Sequence, residues 1–336
     1  MYYSSYLQLD KILDAQGLES DRLGKHAHDE MLFIIIHQSY ELWFKQILFE
    51  VGTVHEIFSK ENVNDNSAEL AVAVRRMNRV TEILKVLVHK VDILETMTPL
   101  DFLDFRDMLR PASGFQSMQF KILETVLGLT IEERHGKEYV TSQLTPNDAQ
   151  SIYDLAKKTP LISLINDWLE RMPFFTEPHF WMDWEGGRDF WSVYRDTYAD
   201  SLGEGEKQNV RVFEELFLSD LNNEGRKISD KARRSALFIM LYRDYPIMQN
   251  PYRILNQLLE VDELLATWRW RHMNMVHRMI GIRVGTGGSS GKNYLREAAL
   301  KHYIFNEFAE LTSFLVERNR LPKLTSTLEA KLGYNI

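Results

Sequence analysis

Apolar side chains along this chain return every three or four residues over long stretches, the period of one face of an α-helix. One stripe, Phe33, His37, Tyr40, Phe44, Ile47, Val51, Val54 and Phe58, predicts a helix from Met31 to about Phe58. A second, Leu70, Val74, Met77, Leu84, Leu87, Val91 and Leu94, predicts one from about Ser67 to Thr96. The third, Ile254, Leu258, Val261, Leu265, Trp268, His272, Met275 and Met279, ends just before a cluster of glycines and hydroxyls from Gly285 to Gly291. Two of these stripes contain a histidine, which its neighbours on the face predict to be buried. The run Leu32 to Ile36 is apolar on every side, so protein is expected all round that end of its helix.

Hydroxyls and prolines mark the remaining elements. Thr98-Pro99-Leu100-Asp101 joins a capping hydroxyl, a proline in the first turn and a carboxylate near the helix start, and the pattern recurs at Thr145 to Asp148. Pro111 to Gly114 separates the Thr98 helix from one over Phe115 to Leu127, and Thr159-Pro160 predicts a helix to Arg171. Helical spacing also covers Ser229 to Tyr245, Tyr294 to Arg318 and Ser326 to Leu332, while Pro246 and Asn250-Pro251 are expected to precede the helix of the third stripe. No stretch alternates with the two-residue period of a strand. The fold class is therefore all-α, a bundle of long helices in a single domain over 1–336. From about 173 to 225 the chain is less regular, with prolines and glycines between aromatic pairs such as Phe180-Trp181, and reads as a subdomain or insertion.

A net charge of -8 without a basic run removes the phosphate attraction on which nucleic-acid binding rests, so small-molecule partners are expected. There is no cysteine, which excludes disulfides, thiolate metal sites and cysteine nucleophiles; a metal would need His, carboxylate or Met. The N-terminus lacks a signal-peptide pattern and no apolar run approaches the roughly 18 residues of a membrane span. A cytoplasmic location with no membrane partner is the expectation.

The glycine cluster invites a phosphate-loop reading and fails it: five residues separate Gly285 from Gly291, Asn293 follows Lys292, and a helix precedes. The dinucleotide fingerprint fails too. What remains is either a flexible surface loop or a backbone that approaches a ligand closely and donates N–H groups to an anion. His37 and His272 are either satisfied core histidines or cofactor ligands; in a helical protein without cysteine, an imidazole among apolar and aromatic residues suits an axial haem ligand. His277 lies about 140° round the helix from His272 and cannot easily share one metal with it. His26, His28, Asp29 and Glu30 admit a metal reading, although carboxylates at a helix start need only the macrodipole. Arg106, one turn beyond Phe102 and next to Phe105, is a solvated arginine or one that grips a carboxylate.

At these residues the chain resembles the tryptophan 2,3-dioxygenase family. The likeness lies in ordered blocks: Y-x-x-Y-L from Tyr3 to Leu7, H-D-E-M-L-F-I-I-I-H-Q from His28 to Gln38 with E-L-W-F-K from Glu41 to Lys45, and T-P-L-D-F-x-D-F-R from Thr98 to Arg106. P-A-S-G-F-Q-S from Pro111 to Ser117 and M-V-H-R-M-I-G-x-x-x-G-T-G-G-S-S-G from Met275 to Gly291 complete the set. The resemblance implies a haem b, one per subunit, with His272 as the axial ligand of its iron, and O2 as co-substrate. It implies that L-tryptophan is opened to N-formyl-L-kynurenine, the first step of tryptophan catabolism by the kynurenine pathway.

By the same resemblance, His37 would be the catalytic residue that meets the indole N–H, and Phe33 would line the indole pocket. Arg106 and Thr286 would hold the amino-acid end of the substrate, and Ser113 and Gly114 would lie at the haem edge. Residues 1–20 would form an arm crossing to a neighbouring subunit, so that Tyr3, Tyr6 and Leu7 complete another protomer's pocket in a homotetramer built as a dimer of dimers. Some bacterial members carry tyrosine where this chain has Phe102, so carboxylate binding here would lean harder on Arg106 and Thr286. A haem protein that oxidises a different aromatic amino acid, or a tryptophan-binding sensor without turnover, remain the alternatives.

Overall fold

A computed structural model describes residues 1–61, 63, 67–134, 143–184, 187–219, 225–281, 283 and 301–333. In chain order its helices are α1 (Tyr3–Leu7), α2 (Leu9–Ile12), α3 (Glu19–Arg22), α4 (Glu30–Phe58), α5 (Ala68–Leu94), α6 (Pro99–Arg106), α7 (Met118–Leu127) and α8 (Pro146–Ala156). They continue as α9 (Leu161–Glu170), α10 (Phe190–Ser201), α11 (Asn209–Phe217), α12 (Asp230–Leu241), α13 (Pro246–Ile280), α14 (Asn306–Glu310) and α15 (Ser326–Leu332). Short 3-10 turns lie between several of them, and no strand occurs among the described residues. The fold is all-α.

The caps form as their residue types require. Thr98 Oγ1 accepts from Asp101 N at 3.3 Å while Thr98 N donates to the Asp101 carboxylate at 2.9 Å, a reciprocal capping box at the start of α6. Thr145, Ser229 and Thr325 cap α8, α12 and α15 through a single bond each, accepting from Asp148 N, Ala232 N and Leu328 N. Gly281, at φ 57°, takes the left-handed turn that ends α13 and donates to His277 O at 2.9 Å.

Three expectations change. The helix of the third stripe starts at Pro246 and runs through Pro251 rather than after it. Pro246 occupies the first helical position, where its missing N–H removes nothing, and Pro251 forgoes one bond while its ring is buried. Thr159 does not cap α9; Pro160 precedes it, and Thr159 O instead accepts from His55 Nε2 at 2.8 Å. Of the single helix expected over Tyr294 to Arg318, the part up to residue 300 lies outside the described residues. The rest is broken into α14 and 3-10 turns at Leu311–Phe314 and Arg318–Arg320. Asp262 diverts the chain there, since its carboxylate accepts from Ile304 N at 2.9 Å and from Phe305 N at 2.5 Å.

The chain makes two compact units, each assembled from three segments: Met1–Phe49, Thr81–Lys158 and Glu263–Tyr303 in the first, Glu50–Val80, Thr159–Asp262 and Ile304–Ile336 in the second. In the first unit α7 packs on α8; in the second α9 packs on α12, and α10 on α11. The stretch that reads as irregular supplies core to the second unit: Phe174, Phe180, Phe190 and Trp191 are buried, and Phe190 and Phe175 pack against Phe238 of α12 at ring separations of 5.5 and 5.1 Å.

Candidate functional site

The site lies in the first unit, where α4, α6 and α13 bring aromatic rings and two histidines together. Along α4 the stripe residues Tyr40, Phe44, Ile47, Val51, Val54 and Phe58 are buried, and along α13 so are Ile254, Leu258, Val261, Leu265, Met275 and Met279. The stripes are only half-buried at Phe33 and His37 and at Trp268 and His272. Protein therefore covers both apolar faces except round the two histidines.

His37 is held by its own helix. Its Nδ1 lies 2.7 Å from Phe33 O, one turn back. A carbonyl can only accept, so Nδ1 carries the proton and Nε2 is left as an acceptor. Burial pushes the imidazole below its usual pKa, against the opposing pull of the bond to Phe33 and of the Glu41 carboxylate. The ring of Phe33 sits 4.1 Å from that of His37, 5.7 Å from Phe102 and 5.5 Å from Phe105, and Phe102 meets Phe105 edge-on at 5.4 Å. Arg106 follows these two phenylalanines in the last turn of α6; it is buried, and its Nη1 lies 3.4 Å from the exposed carboxylate of Asp107.

His272 stacks on Trp268 at 5.4 Å with the ring planes 1° apart. Trp268 in turn contacts Phe120 at 5.0 Å, Tyr40 at 5.9 Å and Phe44 at 6.1 Å, so the support of His272 reaches back to α4 and α7. Burial, and secondarily the nearby His37, bring the His272 imidazole down to about 4. It is therefore neutral near pH 7. No hydrogen-bond partner for either of its ring nitrogens occurs among the described residues. A neutral imidazole on an aromatic, apolar face is the donor set of an axial haem ligand, and His272 fits it. Among the described residues no group of three His, Asp or Glu could hold a bare metal ion.

The other expected residues are placed as follows. Ser113 starts the 3-10 turn Gly114–Gln116, its Oγ accepting from Phe115 N at 3.3 Å, and a Cβ on Gly114 would meet nothing within 4 Å. Nothing in the chain's own packing demands glycine there. Tyr3 and Tyr6 are 75% and 69% exposed, and α1 buries none of its residues, so the single chain does not bring Tyr3, Tyr6 or Leu7 into the cluster. Thr286 and the glycine cluster lie outside the described residues. His277 is exposed. Glu30 has a structural task in place of the metal reading, accepting from Glu19 N at 2.8 Å and Ser20 N at 2.9 Å, and His26 and His28 pair with Asp21 and Asp29.

A second feature escapes the sequence reading. Glu124 on α7 is buried, with Arg134 Nη1 at 2.8 Å from one carboxylate oxygen and Arg269 Nη2 at 2.7 Å from the other. His302 Nδ1 lies 3.9 Å away, and Arg269 Nη1 donates to His302 O at 3.1 Å. Burial alone would raise the Glu124 pKa, but Arg134, Arg269 and His302 outweigh it and hold the carboxyl at about 2. The available signal was Lys121 and Glu124, the two charged residues of α7, one turn apart.

Comparison with known proteins supplies the remaining findings. A family model described as Tryptophan 2,3-dioxygenase matches residues 1–315. The chain is 40% identical over 363 residues to the Tryptophan 2,3-dioxygenase of Bdellovibrio bacteriovorus, covering 100% of this chain and 98% of that relative. It is 38% identical over 364 residues to the protein of that name in Dictyostelium discoideum, covering 99% and 88%, and 40% identical over 352 residues to that of Xenopus laevis, covering 98% and 85%.

Proposed function

The chain belongs to the tryptophan 2,3-dioxygenase family, and from that premise we propose that it is the haem-dependent enzyme that inserts both atoms of O2 across the indole C2–C3 bond of L-tryptophan to give N-formyl-L-kynurenine. The observation that carries this reading is the pairing of two half-buried, differently used histidines in one unit. His272 is neutral and stacked on Trp268; His37 has its Nδ1 proton committed to Phe33 O. Haem b, bound through His272, supplies the redox chemistry of its iron with dioxygen.

The chain's own residues bind and orient. His37 Nε2 accepts the indole N–H, so this histidine steers the ring and need not remove its proton. Phe33 and Phe102 form apolar walls, and Phe33 is tied to both histidine and phenylalanines by ring contacts of 4.1 to 5.7 Å. Arg106 presents its planar fork to the substrate carboxylate, an arrangement favoured by its burial beside Phe105. Thr286 holds the ammonium and carboxylate end. Ser113 and Gly114 border the haem, which the open space beside Gly114 permits.

The enzyme is a homotetramer in this reading. Tyr3, Tyr6 and Leu7 complete a neighbouring subunit's pocket, in keeping with the exposure of α1, and Leu42, Phe49 and Leu100 offer further exposed apolar surface at 55%, 69% and 75%. The location is cytoplasmic; no helix among the described residues is long and apolar enough to cross a membrane.

The test is the absorption spectrum of the reduced protein, followed by product analysis with L-tryptophan and oxygen. A haem Soret band and formylkynurenine are expected. Protein that takes up haem and tryptophan yet makes no product would replace the enzyme with a sensor, and protein that takes up no haem would overturn the reading altogether.

A further inference from the structure

His272 stands eight residues before the end of α13, close enough for fraying of that end to reach it. Two arginines tie the helix down just there. Arg269 and Arg271 are about 200° apart round the axis. Arg271 donates to Val88 O at 3.1 Å, to Glu95 at 3.1 Å and to Asp92, at a half-buried position that water still reaches. Arg269 makes its contacts in the interior: Glu124 at 2.7 Å, His302 O at 3.1 Å, and the Phe120 ring beneath its guanidinium at 5.8 Å. Water at a half-buried pair screens it in part, whereas breaking the fully buried Arg269–Glu124 pair, 5% exposed on each side, strands a charge. Arg269 therefore dominates.

Glu124 is the hub of this arrangement. Both its oxygens are engaged, and it binds α13 one turn before His272 while His302 approaches the same group. We propose that Glu124 is a positioning residue for His272, holding the C-terminal turns of α13 through Arg269 so that the imidazole keeps its place over Trp268. Arg134 has a different part: its second nitrogen goes to Thr125 Oγ1 at 2.9 Å and Lys121 O at 3.2 Å, which returns the carboxylate's other side to α7 itself. Arg134 braces Glu124, and among the described residues its hydrogen bonds go to α7 alone.

This inference rests on the reading of His272 as the haem ligand. The experiment uses the full-length protein with and without haem and compares Glu124→Gln, Arg269→Met and Arg134→Met. Backbone amides of 266–281 in the first two should exchange hydrogen about tenfold faster than in the unaltered protein, already without haem. Their reduced, haem-loaded forms should show a displaced Soret band, and Glu124→Asp should restore part of both signals. Arg134→Met should lower the unfolding midpoint without speeding exchange in 266–281. If Glu124→Gln does not fold, Arg269→Met alone decides, because Glu124 there keeps Arg134. Unchanged exchange and an unchanged spectrum in Arg269→Met would overturn the proposal, as would faster exchange of the same segment in Arg134→Met. Failure of the unaltered protein to bind haem would overturn the ligand reading instead.

Discussion

The two units use aromatic residues to opposite ends. In the second, Phe190, Tyr194, Phe213, Phe217 and Phe238 are each at most 3% exposed, and the phenols of Tyr194, Tyr198 and Tyr242 donate to the carbonyls of Phe314, Ser313 and Pro322 at 2.7 to 3.0 Å. These rings fill space, and these three hydroxyls are satisfied. In the first unit Phe33, Phe102 and Trp268 touch one another's neighbours just as closely but stay half-buried together with His37 and His272, while Glu124, Arg134, Arg269 and Arg106 are taken into the interior. A cluster that satisfied itself fully would have no face left for a ligand. The difference separates rings that hold the fold from rings that hold something else.

The sharpest test of that division is His272→Ala, which should abolish the haem spectrum while leaving the helical circular dichroism unchanged; full haem retention would remove His272 from the axial position. On the other side, Phe213→Ala should cost about 3–5 kcal/mol in denaturant unfolding, yet leave haem affinity of the folded fraction intact. A loss of affinity there would mean that the second unit is more than packing. Arg106→Leu should lower kcat/KM for L-tryptophan by about 2–5 kcal/mol of binding while stability changes little, and an unchanged KM would return Arg106 to a purely structural role.

Acid titration separates the units more gently. The folded pKa of Glu124 lies below its ordinary value of 4.5, so its contribution is fully present above pH 4.5 and is lost as pH falls toward about 2. Roughly 3 kcal/mol should disappear over that window, and Glu124→Gln should flatten the curve. The smallest effect is expected from Phe102→Tyr, whose phenol should improve carboxylate binding by about 1.5 kcal/mol, read as a lower KM.

Much of this was legible from period alone. The stripes of α4 and α13 put His37 and His272 on the apolar faces of long helices because an amphipathic helix repeats its signal over many turns, although both are half-buried where burial was expected, and the Thr98 and Thr145 caps are local chemistry. Tertiary partners were not legible. Glu30 looks like part of a metal run until Glu19 N and Ser20 N are found on its carboxylate, and Asp262 breaks a periodic segment from 42 residues away in sequence at Ile304. Glu124 shows only as a charged residue one turn from Lys121, since its three partners come from elsewhere in the chain. The aromatic stretch around Phe190 looks irregular because its order comes from Phe238 on α12 and not from its own spacing.

The interleaving of the two units has a consequence for synthesis. The first unit needs Met1–Phe49 and Glu263–Tyr303, so its amino-terminal piece leaves the ribosome long before its last. At about 5–20 residues per second, tens of seconds separate the emergence of the two histidines. Throughout that interval Phe33 and His37 wait without the helix that faces them. On the proposed reading of His272, haem capture waits until α13 has been made, and a product truncated before that helix would lack the residue proposed to hold it.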